Sequence, residues 1–364
     1  MRNPLSTPLR KLVLGFVLFI GSLAPLWPRD AIEVRTVVGP GIPGKYKHAP
    51  SACELGDGRI LLVYYSGSGE YGRDTAIYAT ELDRASERWS RPRIIADEPL
   101  IAEGNPSLWR APDGRLWLFY PLRHGETWAT ARLTVKVSAD EGRSWTAAPA
   151  PTDQPGYMIR ARPLTLGDGS CLLPADFNPS TDPEFVSEES GSLFFRSDPQ
   201  LTTWTATDLI HSRLGNHQPA VAALDDERLV AYCRRGGDYF GRADGMLVRS
   251  ESRDGGAAWS PGVETEFPNP NAPVDFVRLA SGNLLLAFND SAFERTPLSV
   301  AISTDGDRTY PYRRVIIHGV YSYSYPWALQ VTDGTIYLFF TSGARSHIKY
   351  ARFTEPEITG DHRT

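Results

Sequence analysis

Six prolines, at positions 50, 106, 163, 219, 273 and 326, recur along the 364-residue chain, and polar residues stand just ahead of each. They are His48, Asn105, Arg162, Gln218 with His217, Asn271, and Tyr325 with Tyr323. A second polar set follows apolar runs: Glu70 and Asp74, Arg123 and His124, Asp176, Arg234 and Arg235, Asn289 and Arg295, and Arg345. If the fold brings Arg162, Arg234 and Arg295 together, they make a site for a planar anion, because guanidinium forks match carboxylates with two parallel bonds. Phosphate is less favoured, since no glycine-rich loop opens a helix. Trp109, Trp128, Tyr325 and Trp327 offer faces on which a sugar ring could stack. The combination reads as a pocket for an acidic sugar, with Asn105, Glu70, Asn271 and Arg345 as further contacts. The competing reading is structural: hydrogen-bonded caps on a tunnel, with the aromatics in the core.

The elements that must position these residues are repeated. A turn followed by a short apolar strand appears as DGRILLVYY from Asp57, DGRLWLFYP from Asp113 and DGSCLLPAD from Asp168, then as DERLVAYCR from Asp226, SGNLLLAFN from Ser281 and DGTIYLFFT from Asp333. Asp-Gly or Ser-Gly between two apolar runs is a tight hairpin signal. Each unit therefore starts at its proline, runs a strand, turns and runs a second strand, with room for two more. A further pattern, S-x-D-x-G-x-x-W, occurs at Ser138–Trp145 and Ser252–Trp259, with a worn copy at Ser303–Tyr310 and degenerate ones ending at Trp89 and Trp204. Its Asp and Ser can satisfy backbone donors while the aromatic packs between sheets, which is a structural task. Repeats of this length with almost no helical periodicity predict an all-β, six-bladed β-propeller with four-stranded antiparallel blades. The strand EVRTVV near Glu33 is expected to close the ring against the last blade. The innermost strand of each blade lines the axis, so the residues ahead of the prolines should meet at one mouth.

Composition narrows the partners. The net charge of −5 gives no basic footprint, which argues against nucleic acid. Cys53, Cys171 and Cys233 are far apart and lack zinc spacing, so they read as small buried hydrophobes, and no metal is assigned. No nucleotide, flavin or haem fingerprint appears; GSGEYG, from Gly67, reads as a site loop. The acidic stretch from Asp176 to Gly191, with Asp182 and Glu184, is a candidate lid whose spacing is not that of an EF-hand. Arg2, Arg10 and Lys11 precede the apolar run Leu12–Trp27. Residues 1–28 are therefore expected to be an export signal or an N-terminal anchor, with the propeller at 29–364 outside the cytosol.

With these motifs in place, the chain resembles the sialidase (neuraminidase) superfamily, and in particular bacterial neuraminidases with BNR (Asp-box) repeats. GNPSLWRAPDGRLWLFY, PNPNAPVDFVRLASGNLLLAFN and YSYPWALQVTDG carry the resemblance, which spans roughly residues 45–350. It implies an exo-glycosidase with an arginine triad for the substrate carboxylate, a tyrosine nucleophile activated by a glutamate, and an aspartate acid/base, outside the usual two-carboxylate scheme. It assigns Arg234 and Arg295 to the triad, Asp74 to the acid/base, 26 residues after His48, and Tyr325 or Tyr323 to the nucleophile. This sequence departs from the pattern in three places: His48 stands where the first arginine belongs, Gln218 replaces the activating glutamate, and Thr341 lies near the place of the glutamate that supports the first arginine. An amide cannot accept the tyrosine proton. The departures leave two alternatives: a lyase or hydrolase on uronate polysaccharide, with His48 as base and Tyr325 as acid, or a glycan-binding propeller without catalysis.

Overall fold

A computed structural model describes residues 32–360 other than 42, 71, 183 and 184. The export or anchor segment at 1–28 and Glu184 lie outside the described residues. The apolar runs form antiparallel sheets in chain order, one per sequence repeat, and these are the six blades of a propeller. Blade one is built on Tyr46–Glu54, Ile60–Gly67 and Ala76–Asp83, and blade two on Ser107–Arg110, Leu116–Arg123 and Ala131–Ser138. Blade three runs from Tyr157–Ile159 through Cys171–Phe177 and Gly191–Ser197 to Trp204–Ala206. Blade four uses Asn216–Ala223, Leu229–Arg235, Met246–Ser252 and Val263–Pro268, and blade five Asp275–Arg278, Leu284–Asn289, Leu298–Ser303 and Tyr312–Ile317. In blade six, Ser324–Gln330, Ile336–Ser342 and His347–Phe353 are completed by the N-terminal strand Val34–Val38, which pairs antiparallel with His347–Phe353 and closes the ring. Among the described residues, no helix is long and apolar enough to cross a membrane.

Strand alternation explains how the ring holds together. Side chains of one strand point to opposite faces of the sheet. Leu61, Val63 and Tyr65 thus face blade two, packing with Leu108, Leu116 and Leu118, while Leu62 and Tyr64 face blade six and pack with Trp327, Phe339 and Tyr350. Every neighbouring pair of blades shares such an apolar cluster.

The repeated turns and boxes are structural. Asp57, Asp113, Asp168 and Asp333 each accept a hydrogen bond from the backbone N–H two residues on. In blade four Asp225 takes this place, through Arg228 N–H at 2.8 Å, rather than the Asp226 that the repeat suggests. In the box at Ser138–Trp145, Asp140 accepts from Ser144 N–H at 2.9 Å, Ser138 Oγ from Gly142 N–H at 2.8 Å, and the Trp145 indole donates to the Gly142 carbonyl. Trp259 of the second box stacks on Phe194 of blade three, ring centroids 4.2 Å apart.

Candidate active site

The inner strands of blades one, four and six are each interrupted near the proline. Their registers slip between His48 and Ser51, His217 and Ala220, and Ser324 and Trp327. Ala49, Gln218 and Tyr325, each directly before its proline, sit at φ of 51°, 49° and 58°; Asn271 of blade five sits at 55°. Left-handed backbone is uncommon for such residues, and bulges of this kind re-aim a side chain out of the pleat. Gln218, Tyr325 and the adjacent His217 line one cavity of about 540 Å³, a volume ordinary for a small-molecule site. In blade one the left-handed residue is Ala49, whose methyl carries no polar group to the cavity, and His48 beside it stays buried.

The ends of the second strands and the loops after them supply the charges. Glu70, Arg234, Arg295 and Arg345 line the cavity together with Asn105, Trp128, Asp176 and Tyr239. Arg234, 2% exposed, is the hub. It donates from Nε to Asn271 Oδ1 at 2.6 Å, and from Nη1 to Gln218 Oε1 at 2.9 Å and the Tyr325 hydroxyl at 3.3 Å. Arg295 donates to the Asn271 carbonyl at 2.8 Å; burial and the Arg234 charge push it down to about 10, so it remains a cation at neutral pH. Arg345 donates to the Tyr46 hydroxyl at 2.9 Å and pairs with Glu70. Burial pushes the Asp176 carboxyl up to about 7, against the opposing pull of the Gln218 N–H that it accepts at 3.0 Å. Burial also works to raise Tyr325, but Arg234, Arg295 and Arg345 together outweigh burial and the Glu70 charge, and the phenol lies below its ordinary value.

Several residues read from the sequence fall elsewhere. Arg162 does not line the cavity: its guanidinium binds Asp275 at 2.6 Å and lies over the buried Trp327. This corrects its assignment to an anion clamp, and Arg345 is the third cavity arginine. His48 lies beneath Tyr325, ring centroids 4.0 Å apart, with Nδ1 3.0 Å from Thr341 Oγ1. Burial, reinforced by the nearby arginines, holds its imidazole well below its ordinary value, so it is neutral at physiological pH rather than a charged donor. In the resemblance His48 stands where the first arginine is expected and Thr341 near the place of its supporting glutamate, and the two are in contact. Asp74 is exposed and turned onto Ser68, accepting its N–H and hydroxyl, and the hydroxyl bond first of all lowers its carboxyl. Tyr323 packs into the cluster between blades five and six, against Phe340. Trp109 and Trp327 are core, leaving Trp128 and Tyr325 as the aromatic faces from that set in the cavity. The acidic segment after Asp176 is tied down rather than free, because Phe185–Val186 pairs with Gly237–Asp238. Among the described residues, no group of three His, Cys, Asp or Glu side chains is arranged to hold a metal ion.

Sequence reasoning missed two participants. Tyr239 lies in the cavity wall, 5.2 Å from the Arg234 guanidinium, on a loop with no repeat to flag it. Arg160, 1% exposed, donates to the carbonyls of Tyr325 at 2.9 Å and Pro326 at 2.8 Å, holding the strained backbone of the tyrosine from below. Spacing gave no signal for it: on a regular strand Arg160 and Arg162 would share one face, but just past the strand Tyr157–Ile159 the first reaches the Tyr325 carbonyl and the second Asp275.

A six-bladed propeller with an arginine-lined cavity at its axis defines the class of protein. The chain belongs to the BNR repeat-like domain family, whose sequence profile matches residues 58–338. Its fold is that of the sialidases. The Hadza microbial sialidase Hz136 superposes with a TM-score of 0.71 at 18% identity, covering 86% of this chain and 67% of that one. The intramolecular trans-sialidase from Ruminococcus gnavus gives 0.71 at 14% identity over 88% of this chain and 97% of its own. The NanB sialidase from Streptococcus pneumoniae gives 0.71 at 12% identity over 89% and 71%. No curated protein matches the chain.

Proposed function

We propose that the protein is an exo-acting glycosidase of sialidase type that releases a terminal acidic sugar from glycans. The observation that carries this reading is the meeting of Arg234, Arg295 and Arg345, from three successive blades, in one cavity with the Tyr325 hydroxyl. The three guanidiniums clamp the sugar carboxylate, and Tyr325 attacks the anomeric carbon from below. The leaving oxygen takes a proton from Asp176, a carboxyl kept protonated up to about pH 7 by burial. Water then hydrolyses the tyrosyl-glycosyl bond. Asp74, the proton donor implied by the resemblance, is the competing assignment. The basic-then-apolar N-terminus supports action outside the cytosol.

A fluorogenic sialoside, incubated from pH 4 to 8 with the wild type, Tyr325→Phe, Asp176→Asn and Asp74→Asn, tests the reading. Release should vanish in Tyr325→Phe and fall about 10²–10⁴-fold in Asp176→Asn on substrates with a poor leaving group. Loss in Asp74→Asn alone would return the proton to Asp74. No release from any sialoside by folded protein would overturn the reading. An unsaturated product from a uronate polysaccharide would replace it with elimination.

A further inference from the structure

The nucleophile of the proposed reaction has lost the base that would take its proton, and the cavity holds a substitute. Among the described residues, no carboxylate hydrogen-bonds the Tyr325 hydroxyl. Arg234 Nη1 donates to it at 3.3 Å, and the same nitrogen donates to the neutral Gln218 Oε1 at 2.9 Å. A carboxylate at position 218 would neutralise Arg234 there; an amide orients the guanidinium and leaves its charge for the phenol oxygen. Three further cations surround the ring: Arg295 and Arg345 from the cavity wall, and Arg160, whose guanidinium lies 5.4 Å from the ring centroid.

The acids and neutral groups nearby do not cancel them. Glu70 is engaged with Arg345, and Asp176 accepts from the Gln218 backbone and is protonated below about pH 7. His48, against the ring, is neutral. The other phenols of the cluster, Tyr46, Tyr65 and Tyr239, are all pushed up, by burial first of all, and remain protonated.

We propose that Tyr325 is held as its phenolate by this arginine cage, with Gln218 as the neutral spacer that keeps the cage charged, so that activation is electrostatic rather than by a general base. Its use as a nucleophile rests on the sialidase-type reading above; its ionisation does not. In that reaction the phenolate oxygen forms the bond to the anomeric carbon as the bond to the leaving oxygen breaks. The one proton required goes from the acid to the leaving group, and none has to be removed from tyrosine. The direction of the Tyr325 shift agrees, being downward despite burial.

The experiment is a titration of the free protein by absorbance near 295 nm, where tyrosinate absorbs. The wild type should show one tyrosine already ionised at neutral pH, roughly three units below the ordinary value of about 10, and Tyr325→Phe should lack that wave. Gln218→Glu should move its midpoint up by one unit or more, because it adds a negative charge beside Arg234. Arg295→Met, which removes a positive charge and adds no carboxylate, should move it the same way. A wild type without the early wave, an early wave that survives in Tyr325→Phe, or midpoints unmoved in both charge variants would each overturn the proposal. Because no substrate is used, an early wave without sialoside release sinks the functional reading alone. Release without an early wave sinks this inference alone.

Discussion

The two regions of the molecule richest in charge treat it in opposite ways. On the outer rim every box carboxylate has its donors: Asp140, Asp254 and Asp305 each accept a backbone N–H and a serine hydroxyl. Rim arginines are likewise paired, Arg110 with Glu141 and Arg249 with Asp307 and Glu251. At the axial mouth Arg234 and Arg295 meet amide oxygens and a phenol instead of carboxylates. Neutralised charge holds blades together, and un-neutralised buried charge is costly to folding, so it persists where it meets something from outside.

The third box shows how the rim absorbs change. In the first two boxes the glycines at φ 78° and 88° lie so close to the next blade that a Cβ would meet Leu61 at 2.7 Å or Leu172 at 2.3 Å. In the third, Asp307 takes the position at φ 69°. Its carboxylate accepts from the Tyr232 hydroxyl at 2.9 Å, the Tyr310 hydroxyl at 2.6 Å and Arg249 Nε at 2.7 Å. Tyr310 stands where the other boxes have tryptophan, so the two departures compensate each other.

Breaking the mouth should cost the most function. Arg234→Met strips the hub from Tyr325, Gln218 and Asn271, and kcat/KM should fall roughly 10²–10³-fold, the loss typical of removing one partner from buried charged hydrogen bonds. Steady-state rates beside an unfolding curve would separate this from misfolding. The pH dependence sharpens the same point. A donor at Asp176 must be protonated, so kcat/KM should decline as pH rises through about 7, and Asp176→Asn should lose that limb.

Breaking the rim should affect stability instead. Asp307→Ala should lower unfolding free energy by roughly 2–3 kcal/mol, below the usual span for a split buried pair, since Arg249 keeps Glu251 and some water. Its urea midpoint should drop while turnover of the folded protein is unchanged. Ser138→Ala, losing one acceptor for the Gly142 N–H, should cost about 1 kcal/mol by the same measurement. Were Asp307→Ala to abolish turnover without unfolding, the division of labour between the regions would fail.

Much of this was legible in the chain. Six prolines, six turns and the box motif specify a ring of hairpins, because turn chemistry and strand alternation are local properties of sequence. The same repeats place Gln218, Asn271, Tyr325, Arg234, Arg295, Arg345, Glu70 and Asn105 in the site or its lining. What repeats cannot convey is which way a side chain leaves the backbone once the strand bulges. Arg160 and Arg162, past the end of the strand Tyr157–Ile159, reach Tyr325 and Asp275 respectively, His48 is set inside by the left-handed turn at Ala49, and Asp74 is drawn away by Ser68. The raised carboxyl of Asp176 and the lowered phenol of Tyr325 exist only once blades three to six have met, since burial and the field of distant arginines are properties of the assembled ring. The sequence by itself determined the blades and the chemical inventory of the mouth; tertiary structure decided which members face the cavity and in what state of charge.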